Sequence, residues 1–459
     1  MRIESDFIGE LQLPDTALYG IHSVRARENF AISGRIPHRE LIRAYAEVKA
    51  ACAEANMYSG GLSTEIGTAI VRAAQELAAG RWFEHIIVDA LQGGAGTSLN
   101  MNVNEVIANR ALELLGKPRG AYDAVSPLRD VNMSQSTNDT FPTALRIAAI
   151  RLITELSENC AKLQGALQAK EREFAGVLKV GRTQLQDAVP MTLGSEFGAW
   201  AEAVARDRWR LYKTEERLRE VNLGGTAIGT GINAERKYIF TVIEQLRGIT
   251  GIGLARKENL IDATQNCDVF VEVSGILKTC AVNMAKIAAD IRLLASGPRA
   301  GIGELRLPDM QAGSSIMPGK VNPVMTEALT QASWQMIAAD TAITYAAQGG
   351  QLELNAFLPL IADNLLNGIN VLNNAIKLFT DRCISGIQAN GDRCLDNLEQ
   401  TAALITAIVP QIGYAAAAEL VKKMLAENIS AREALIAGKF VSDDEFETVF
   451  SVEKIIRPG

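Results

Sequence analysis

The stretch VSGILKTCAVNMAKIAADIRLL, residues 273–294, decides the fold class of this chain. Its apolar side chains return every three or four residues, which is the spacing of one face of an α-helix. The pattern therefore predicts one long amphipathic helix. The positions that form its apolar face are Val273, Ile276, Leu277, Cys280, Met284, Ile287, Ile291 and Leu294.

The same spacing recurs on both sides of this stretch. Long helices are predicted from Thr143 to about Leu178 and from about Thr192 to Val221. Val204, Leu211 and Leu218 in the second of these lie seven residues apart, as in a bundle or coiled-coil seam. Further helical stretches are predicted at about 324–346 and 360–380.

Sustained alternation of apolar and polar residues is hard to find, so the sequence predicts a mostly α fold with a long-helix bundle at its centre. Three domains are expected. The first, residues 1–137, is mixed but mainly helical, with a short hairpin near Phe7–Leu13. The second, residues 138–391, contains the long helices, and the third, residues 392–459, is small and helical.

Composition disfavours several broad classes of protein. The 459 residues include 46 Lys and Arg against 53 Asp and Glu, a net charge of −7, so no nucleic-acid partner is expected. With 48% hydrophobic and 22% charged residues, the chain is expected to fold throughout. No apolar run approaches the ~18–20 residues of a membrane span, and the N-terminus lacks a signal-peptide pattern. We therefore expect no membrane partner and a cytoplasmic location.

Residues that commonly bind metals are scattered. The six cysteines include no CxxC pair, which disfavours structural zinc and a disulfide framework. The three histidines, His22, His38 and His85, all lie in the first fifth of the chain. Acid and base chemistry near the later motifs must therefore proceed without a histidine close by in sequence.

Five polar, glycine-rich segments lie between the predicted helices, most of them just before a helix begins. Helix N-termini expose unpaired N–H groups and a partial positive charge, so they attract anions. N-capping needs one polar residue at a helix start, whereas residues 134–139 read Ser-Gln-Ser-Thr-Asn-Asp. This surplus of polar side chains indicates a ligand site. The five segments are 92–98, 134–139, 181–187, 222–231 and 313–323.

Two familiar site types do not fit these segments. A P-loop needs four residues between its glycines and Ser or Thr after its lysine, but five residues separate Gly313 from Gly319, and Val321 follows Lys320. A Ser-His-Asp triad has no histidine nearby, and no serine lies in a G-x-S-x-G elbow. Nucleotide binding at this segment and hydrolase chemistry of the triad type are disfavoured.

The segment Gly-Ser-Ser-Ile-Met-Pro-Gly-Lys-Val-Asn-Pro, residues 313–323, resembles the signature of the fumarase/aspartase superfamily. The resemblance covers nearly the whole chain, because further segments resemble family segments in the same order. It implies the superfamily's three-domain subunit with a central long-helix bundle, and a homotetramer. The further segments are Arg2–Glu4, Tyr19–Gly20, 92–98, 134–139, 181–194 and 350–355.

Within the superfamily, the chain is most similar to the aspartase branch. Fumarases of this class usually have His at the position of Gln184, whereas the run from Gly181 to Pro190 resembles bacterial aspartases. Leu358 departs from the pattern, because aspartases generally have Glu before this proline and fumarases Lys. The resemblance therefore leaves open whether the amine is ammonia or a substituted amine.

The reaction that the resemblance implies is the reversible anti-elimination of ammonia from L-aspartate to give fumarate. Its difficult step places two negative charges on one carboxyl group, an enediolate, so preorganised donors are needed. By resemblance the base is Ser314, acting as an oxyanion, with Gly313 and Gly319 letting backbone N–H groups turn toward it. No metal or organic cofactor is implied. The residues expected to bind the dicarboxylate are Thr97, Ser136, Thr137, Asn138, Thr183, Gln184, Ser315, Lys320 and Asn322.

The length of one predicted helix favours active sites shared between subunits. A helix from Thr143 to about Leu178 spans on the order of 50 Å at ~1.5 Å per residue. It would place Ser136–Asn138 and Thr183–Gln184 near opposite ends of one rod. If both segments bind one small dicarboxylate, at least two chains must bring them together, which agrees with the family's tetramers.

Other functions remain as alternatives at this point. They are a class II fumarase-type hydratase, a lyase acting on another N-substituted aspartate, and a non-catalytic helical scaffold, since this fold has also been recruited as a lens structural protein. The intact Ser-Ser-Ile-Met-Pro-Gly-Lys segment argues against the scaffold.

Overall fold

Helices make up most of the computed structural model, which describes residues 1–456. Residues 457–459, the end of the predicted third domain 392–459, lie outside the described residues. In the described part of the chain, no helix is both long enough and apolar enough to cross a membrane.

The N-terminal region contains a hairpin followed by four helices. Arg2 pairs with Leu13 and Ser5 with Glu10, so the predicted hairpin is present, with Phe7 in its turn. The Ser63 side chain accepts a hydrogen bond from the N–H of Ile66 and so begins the third helix. The elements are β1 (Arg2–Ser5), β2 (Glu10–Leu13), α1 (Ile21–Asn29), α2 (Arg39–Ser59), α3 (Thr64–Ala78) and α4 (Thr97–Leu114).

Long helices dominate the middle of the chain. The helix predicted from residues 273–294 is confirmed, and it begins slightly earlier than its apolar pattern. The elements are α5 (Thr137–Glu173), β3 (Leu178–Thr183), β4 (Gln186–Thr192), α6 (Leu193–Leu218), β5 (Glu220–Val221), α7 (Arg236–Thr250), β6 (Ala255–Arg256), α8 (Leu260–Gln265), α9 (Asp268–Leu294), β7 (Leu305–Arg306), α10 (Val324–Gln348) and α11 (Leu358–Arg382).

The bounds of α5 differ from the prediction at both ends. The helix begins six residues before Thr143 and contains Pro142 in its second turn. It ends at Glu173, shortly before Gly176, rather than at Leu178. Leu178 instead begins β3, where Val180 is buried as a β-branched strand residue.

The antiparallel hairpin β3–β4 is the element that periodicity did not reveal. A two-residue turn, Gln184–Leu185, connects its strands, and both residues have positive φ, 54° and 62°. Hairpin turns of this kind usually contain Asn-Gly or Asp-Gly. Because the turn reads Gln-Leu, the usual sequence signal for a hairpin is absent.

Short helices follow the long ones and share a hydrophobic core with the β3–β4 hairpin. Val180 of β3 belongs to the same buried cluster as Leu404, Leu420 and Phe446. The C-terminal helices therefore pack on the hairpin. Their elements are β8 (Gln388–Ala389), α12 (Gly391–Glu399), α13 (Ala403–Ala407), α14 (Val409–Ile412), α15 (Tyr414–Glu427), α16 (Ala431–Ala437), α17 (Asp443–Val449) and α18 (Val452–Ile456).

The described chain divides into two compact units, each assembled from separated stretches. Unit 1 contains residues Met1–Ser157, Trp209–Thr279 and Trp334–Leu372. Unit 2 contains Glu158–Arg208, Cys280–Ser333 and the chain from Asn373 onward. The division into 1–137, 138–391 and 392–459 stays a prediction.

Polar contacts join neighbouring long helices inside each unit. In unit 1, Asp340 of α10 accepts hydrogen bonds from Ser274 and Lys278 of α9, both at 2.6 Å. In unit 2, the amide of Asn159 on α5 donates to Asn373 on α11 at 2.8 Å. Buried polar groups need such partners, so these pairs also restrict how the helices can slide past one another.

Candidate active site

Thr97 is the first residue of α4 and lies exposed at the end of the glycine-rich segment 92–98. Its hydroxyl donates to the carbonyl of Gly94 at 2.7 Å. Gly96, the residue before the helix, has φ of 94°, which a glycine adopts without strain. The predicted arrangement of a polar residue at a helix start is therefore present.

Ser136 directly precedes α5 and Thr137 is its first residue, so the polar segment 134–139 overlaps the helix start rather than ending before the predicted start at Thr143. The hydroxyl of Ser136 accepts from the N–H of Asn138 at 3.2 Å, and Asp139 accepts from the N–H of Ser136 at 3.0 Å. The two side chains thus cap the first turn of the helix, although the Ser136 hydroxyl bonds the N–H two residues on rather than three, as a full capping box would. Capping therefore accounts for Ser136 and Asp139, whereas Thr137, which is buried, has no capping role.

Pro142 has a specific consequence for this segment. Proline lacks an N–H, so it cannot bond the carbonyl four residues earlier, which belongs to Asn138. The amide of Asn222 donates to that carbonyl instead, at 3.0 Å. Asn138 in turn donates through its side chain to the carbonyl of Ala227 at 2.7 Å. The structure thus brings together two of the five polar segments, 134–139 and 222–231.

Lys49 also contacts the segment 134–139, through Gln135. Its ammonium group is fully buried and donates to Asn100 at 2.6 Å, Gln135 at 2.8 Å and Asn132 at 3.0 Å. Burial lowers the pKa of Lys49 to about 7. Its three N–H groups each donate a hydrogen bond to an amide oxygen, so one lysine fixes Gln135, the residue next to Ser136.

Thr183 and Gln184 lie exposed at the tip of the β3–β4 hairpin in unit 2. Gln184 has φ of 54°, an uncommon conformation for a residue with a β-carbon. Such conformations are concentrated at functional sites. That this turn presents its side chains to a ligand stays a prediction.

A buried group of charges fixes the base of this hairpin. Glu304 is fully buried and contacts Arg182 at 2.8 Å and Lys179 at 3.0 Å, while Lys179 also contacts Glu196 at 2.7 Å. Burial raises the pKa of Glu304, but the hydrogen bonds from Arg182 and Lys179 outweigh this effect and leave the pKa below its usual value. Arg182 directly precedes Thr183, so this cluster holds the strand next to the turn.

The signature segment forms a closed loop in which Ser314 occupies a distinctive place. Its hydroxyl oxygen accepts hydrogen bonds from the N–H groups of Met317 at 3.1 Å and Ile316 at 3.2 Å. Two backbone donors would stabilise an alkoxide at this oxygen. The same pattern also occurs in ordinary serine turns. The serine is half-buried, whereas Ser315 is exposed.

The two ends of the loop are joined by hydrogen bonds. Gly313 donates its N–H to the carbonyl of Lys320 at 2.8 Å, and the amide of Asn322 donates to the carbonyl of Gly313 at 3.0 Å. A β-carbon on Gly313 would lie 2.6 Å from the Lys320 carbonyl oxygen, so close approach requires this glycine. Gly319, with φ of 80°, supplies the turn. The side chain of Lys320 is exposed.

Leu358, the departure from the aspartase pattern, has a structural role in this chain. Its side chain is 1% exposed at the start of α11, so it packs in the core. Asn355, in the preceding segment, is buried and donates to the carbonyls of Ala346 and Ala347, each at 3.0 Å. Glu353 is exposed.

The predicted site residues divide between the two units. Thr97, Ser136, Thr137 and Asn138 belong to unit 1, and the others, from Thr183 to Asn322, belong to unit 2. Within residues 1–456, no group of three or more His, Cys, Asp or Glu side chains is arranged to hold a metal ion.

Four supporting residues were not identified from the sequence: Lys49, Asp139, Asn222 and Glu304. The sequence carries a detectable signal for Asp139 and for Asn222. Asp139 lies three residues after Ser136, which is the spacing of a capping box. Pro142 lies four residues after Asn138, which indicates that the Asn138 carbonyl has no helical partner and needs another donor, here Asn222. Lys49 and Glu304 had none, because their partners are distant in sequence.

Comparison with known proteins identifies relatives over the full length of the chain. A family model described as Lyase matches residues 9–338, and one described as Fumarase C C-terminus matches residues 404–457. Aspartate ammonia-lyase of Bacillus sp is 48% identical over 459 residues, covering 100% of this chain and 98% of the relative. Aspartate ammonia-lyase of Bacillus subtilis (strain 168) is 47% identical over 458 residues, covering 100% and 96%.

Solved structures confirm the mostly helical fold. A fumarate lyase:delta crystallin from Brucella melitensis, bound to cobalt, superimposes with a TM-score of 0.94 at 47% identity, covering 99% of this chain and 98% of that chain. A class II fumarase from Schistosoma mansoni superimposes with a TM-score of 0.92 at 30% identity, covering 99% and 98%.

Proposed function

Because the chain belongs to the fumarase/aspartase lyase family, we propose that it catalyses the reversible deamination of L-aspartate to fumarate and ammonia. The full-length similarity to aspartate ammonia-lyases, at 48% and 47% identity, carries this proposal. The similarity to a class II fumarase is lower, at 30%, and so favours an amino substrate over a hydroxy substrate.

The proposed mechanism is an anti-elimination that begins at Ser314. Its oxygen, as an alkoxide, removes the proton from the carbon next to a carboxylate, and the carbon–nitrogen bond of the enediolate then breaks to release ammonia. The N–H groups of Ile316 and Met317, at 3.2 and 3.1 Å from the Ser314 oxygen, support this role because they lower the cost of its negative charge.

The remaining site residues are proposed to bind the two carboxylates of the substrate and the enediolate. Thr97, Ser136, Thr137 and Asn138 lie at helix starts, where N–H groups and hydroxyls favour anions. Thr183, Gln184, Ser315 and Asn322 supply further hydroxyls and amides, and Lys320 supplies a positive charge. The Gln184 amide is proposed to select an amino substrate, because a neutral amide cannot exchange protons with water as an imidazole can.

The active form is proposed to be a homotetramer with sites shared between subunits. Helix α5 has 37 residues, about 55 Å at 1.5 Å per residue, and it separates Ser136–Asn138 from Thr183–Gln184 along the chain. Large apolar side chains on the long helices of unit 1 also support association. Trp209, Tyr212, Trp334 and Tyr345 are 62–71% exposed in the single chain, although such residues are usually covered.

A cytoplasmic location is proposed from the thiols. No disulfide joins any of the six cysteines, and all six are buried, which fits a reducing compartment.

Ultraviolet absorbance of fumarate tests the proposed reaction. The purified protein is expected to form fumarate from L-aspartate and to act very poorly on L-malate supplied in parallel. Comparable rates with the two substrates would contradict the role of Gln184, and a signal from malate alone would identify a fumarase. Fumarate from an N-substituted aspartate, with none from aspartate, would identify the substituted-amine lyase. No product from any of them would favour the non-catalytic scaffold.

A further inference from the structure

Asp139 joins two polar segments through a single carboxylate. Its side chain is fully buried in the first turn of α5. Oδ1 accepts from the N–H of Ser136 at 3.0 Å. Oδ2 accepts from the N–H groups of Thr226 at 3.0 Å and Gly224 at 3.1 Å. One oxygen therefore bonds the N–H at the start of its own helix, and the other holds the glycine-rich loop 222–231.

Only a carboxylate can satisfy this arrangement. Three backbone N–H groups point at the two oxygens, and an ionised carboxyl group accepts at both. An amide of the same shape would direct its own N–H₂ group at one or two of these donors. Leaving buried donors without partners is unfavourable. The local geometry thus depends on this side chain and on its charge.

Two further sets of contacts, one from loop 222–231 and one from Lys49, also reach the segment 134–139. Asn222 and Asn138 exchange hydrogen bonds between 134–139 and 222–231, as described above. On the other side, Lys49 holds Gln135 at 2.8 Å. The residues proposed to bind the substrate, Ser136, Thr137 and Asn138, lie between these two supports.

We propose that Asp139 is a positioning residue, which holds Ser136, Thr137 and Asn138 in the geometry that binds a substrate carboxylate and keeps the loop 222–231 against them. This inference rests on the proposed function, because it assigns dicarboxylate binding to that segment. Asp139 acts through backbone N–H groups and does not itself contact the substrate.

Glu105 provides a closely matched control in the same unit. It is also a buried carboxylate, and it accepts from three backbone N–H groups, those of Gly20 at 2.7 Å, His22 at 2.9 Å and Ser23 at 3.2 Å. It therefore stabilises the fold in the same way but holds a different segment. Asp139→Asn and Glu105→Gln each remove one such carboxylate without changing side-chain size.

Steady-state kinetics with L-aspartate separates positioning from stability. The thermal midpoint of each variant, measured beside wild type, reports the effect on stability. Asp139→Asn should lose about 100-fold in kcat/KM, with KM raised and kcat lowered, because misplacing a binding group by about 1 Å can cost that much. Glu105→Gln should keep the wild-type kcat and KM. Equal kinetics in Asp139→Asn and wild type, or equal losses in both variants, would overturn the inference.

Hydrogen exchange measured by mass spectrometry gives a second readout that does not depend on turnover. In Asp139→Asn, peptides covering 134–139 and 222–228 should exchange faster, whereas in Glu105→Gln the faster peptide should cover 20–23. Unchanged exchange at 134–139 in folded Asp139→Asn would also overturn the inference. If that variant does not fold, the same two measurements are made on Asn222→Ala. A smaller loss in kcat/KM is expected for Asn222→Ala, and no loss would contradict positioning.

The experiments distinguish failure of the proposed function from failure of the inference about Asp139. A wild-type protein that makes no fumarate from L-aspartate contradicts the proposed function, and exchange at 134–139 in the variants then decides whether Asp139 positions the segment. An active wild type with an equally active, folded Asp139→Asn variant contradicts only the inference.

Discussion

Ser314 and Ser315 are neighbours with the same side chain in different surroundings. Ser314 is half-buried and its oxygen accepts from two N–H groups, whereas Ser315 is exposed. We therefore expect Ser314→Ala to lower kcat for L-aspartate by about 10²–10⁴-fold, the usual contribution of a general base. Ser315→Ala is expected to cost less. Fumarate absorbance measures both, and a Ser314→Ala protein that is folded and fully active would remove Ser314 from this role.

Asp139 is expected to show opposite effects of pH on activity and on stability. Burial raises the pKa of Asp139 from 3.8 to about 7, and three N–H groups and Lys49 oppose part of that rise. Other titratable groups near it are Tyr45, Cys52 and Tyr238. Because the bonds to Ser136, Gly224 and Thr226 need the ionised form, activity should fall as pH decreases through about 7.

The sign for stability is reversed. The folded-state pKa lies above the unfolded value, so the stability contributed by this group is fully present below about pH 4 and is lost as pH rises to about 7. Rate profiles and thermal midpoints of wild type and Asp139→Asn test both effects, and the variant should lack both. If the Asp139→Asn variant still loses activity as pH decreases through about 7, another group causes that loss.

At the scale of elements, the β3–β4 hairpin depends on buried charges. Glu304 has 0% side-chain exposure and contacts both Lys179 and Arg182. Removing one partner of a buried ion pair leaves an uncompensated charge and costs about 3–5 kcal/mol. Glu304→Gln should therefore lower the thermal midpoint and increase proteolytic cleavage at the turn around Gln184.

An exposed ion pair provides the control for this prediction. Lys422 and Glu419 are in contact, but each side chain is 73% exposed. Exposed pairs contribute little to stability, so Lys422→Ala should change the thermal midpoint very little. Equal effects of Glu304→Gln and Lys422→Ala would show that the buried cluster does not hold the hairpin.

At the scale of the whole molecule, the shared site predicts complementation between inactive variants. Thr137→Val and Ser314→Ala alter different units of the chain. If these two residues of one site come from different subunits, random mixing of the two chains should leave about one quarter of the sites intact. Refolding the variants together and measuring fumarate formation tests this. Proven subunit exchange without recovered activity, or a fully active monomer, would contradict the shared site.

The sequence by itself determined the long helices and the polar segments. The apolar spacing in 273–294 and its neighbours is local information, because a helix must bury one face whatever it packs against. The signature 313–323 is likewise contiguous, so its residues and their order could be recognised before any fold was known.

Only the tertiary structure decided what holds those segments in place. The turn Gln184–Leu185 carries no glycine or asparagine, so its hairpin became visible only from the pairing of β3 with β4. Asp139 meets loop 222–231 across more than eighty residues, and Glu304 meets Arg182 across 122. Hydrogen bonds of this kind form because packing places the partners together and removes water, and no pattern local to the sequence records that.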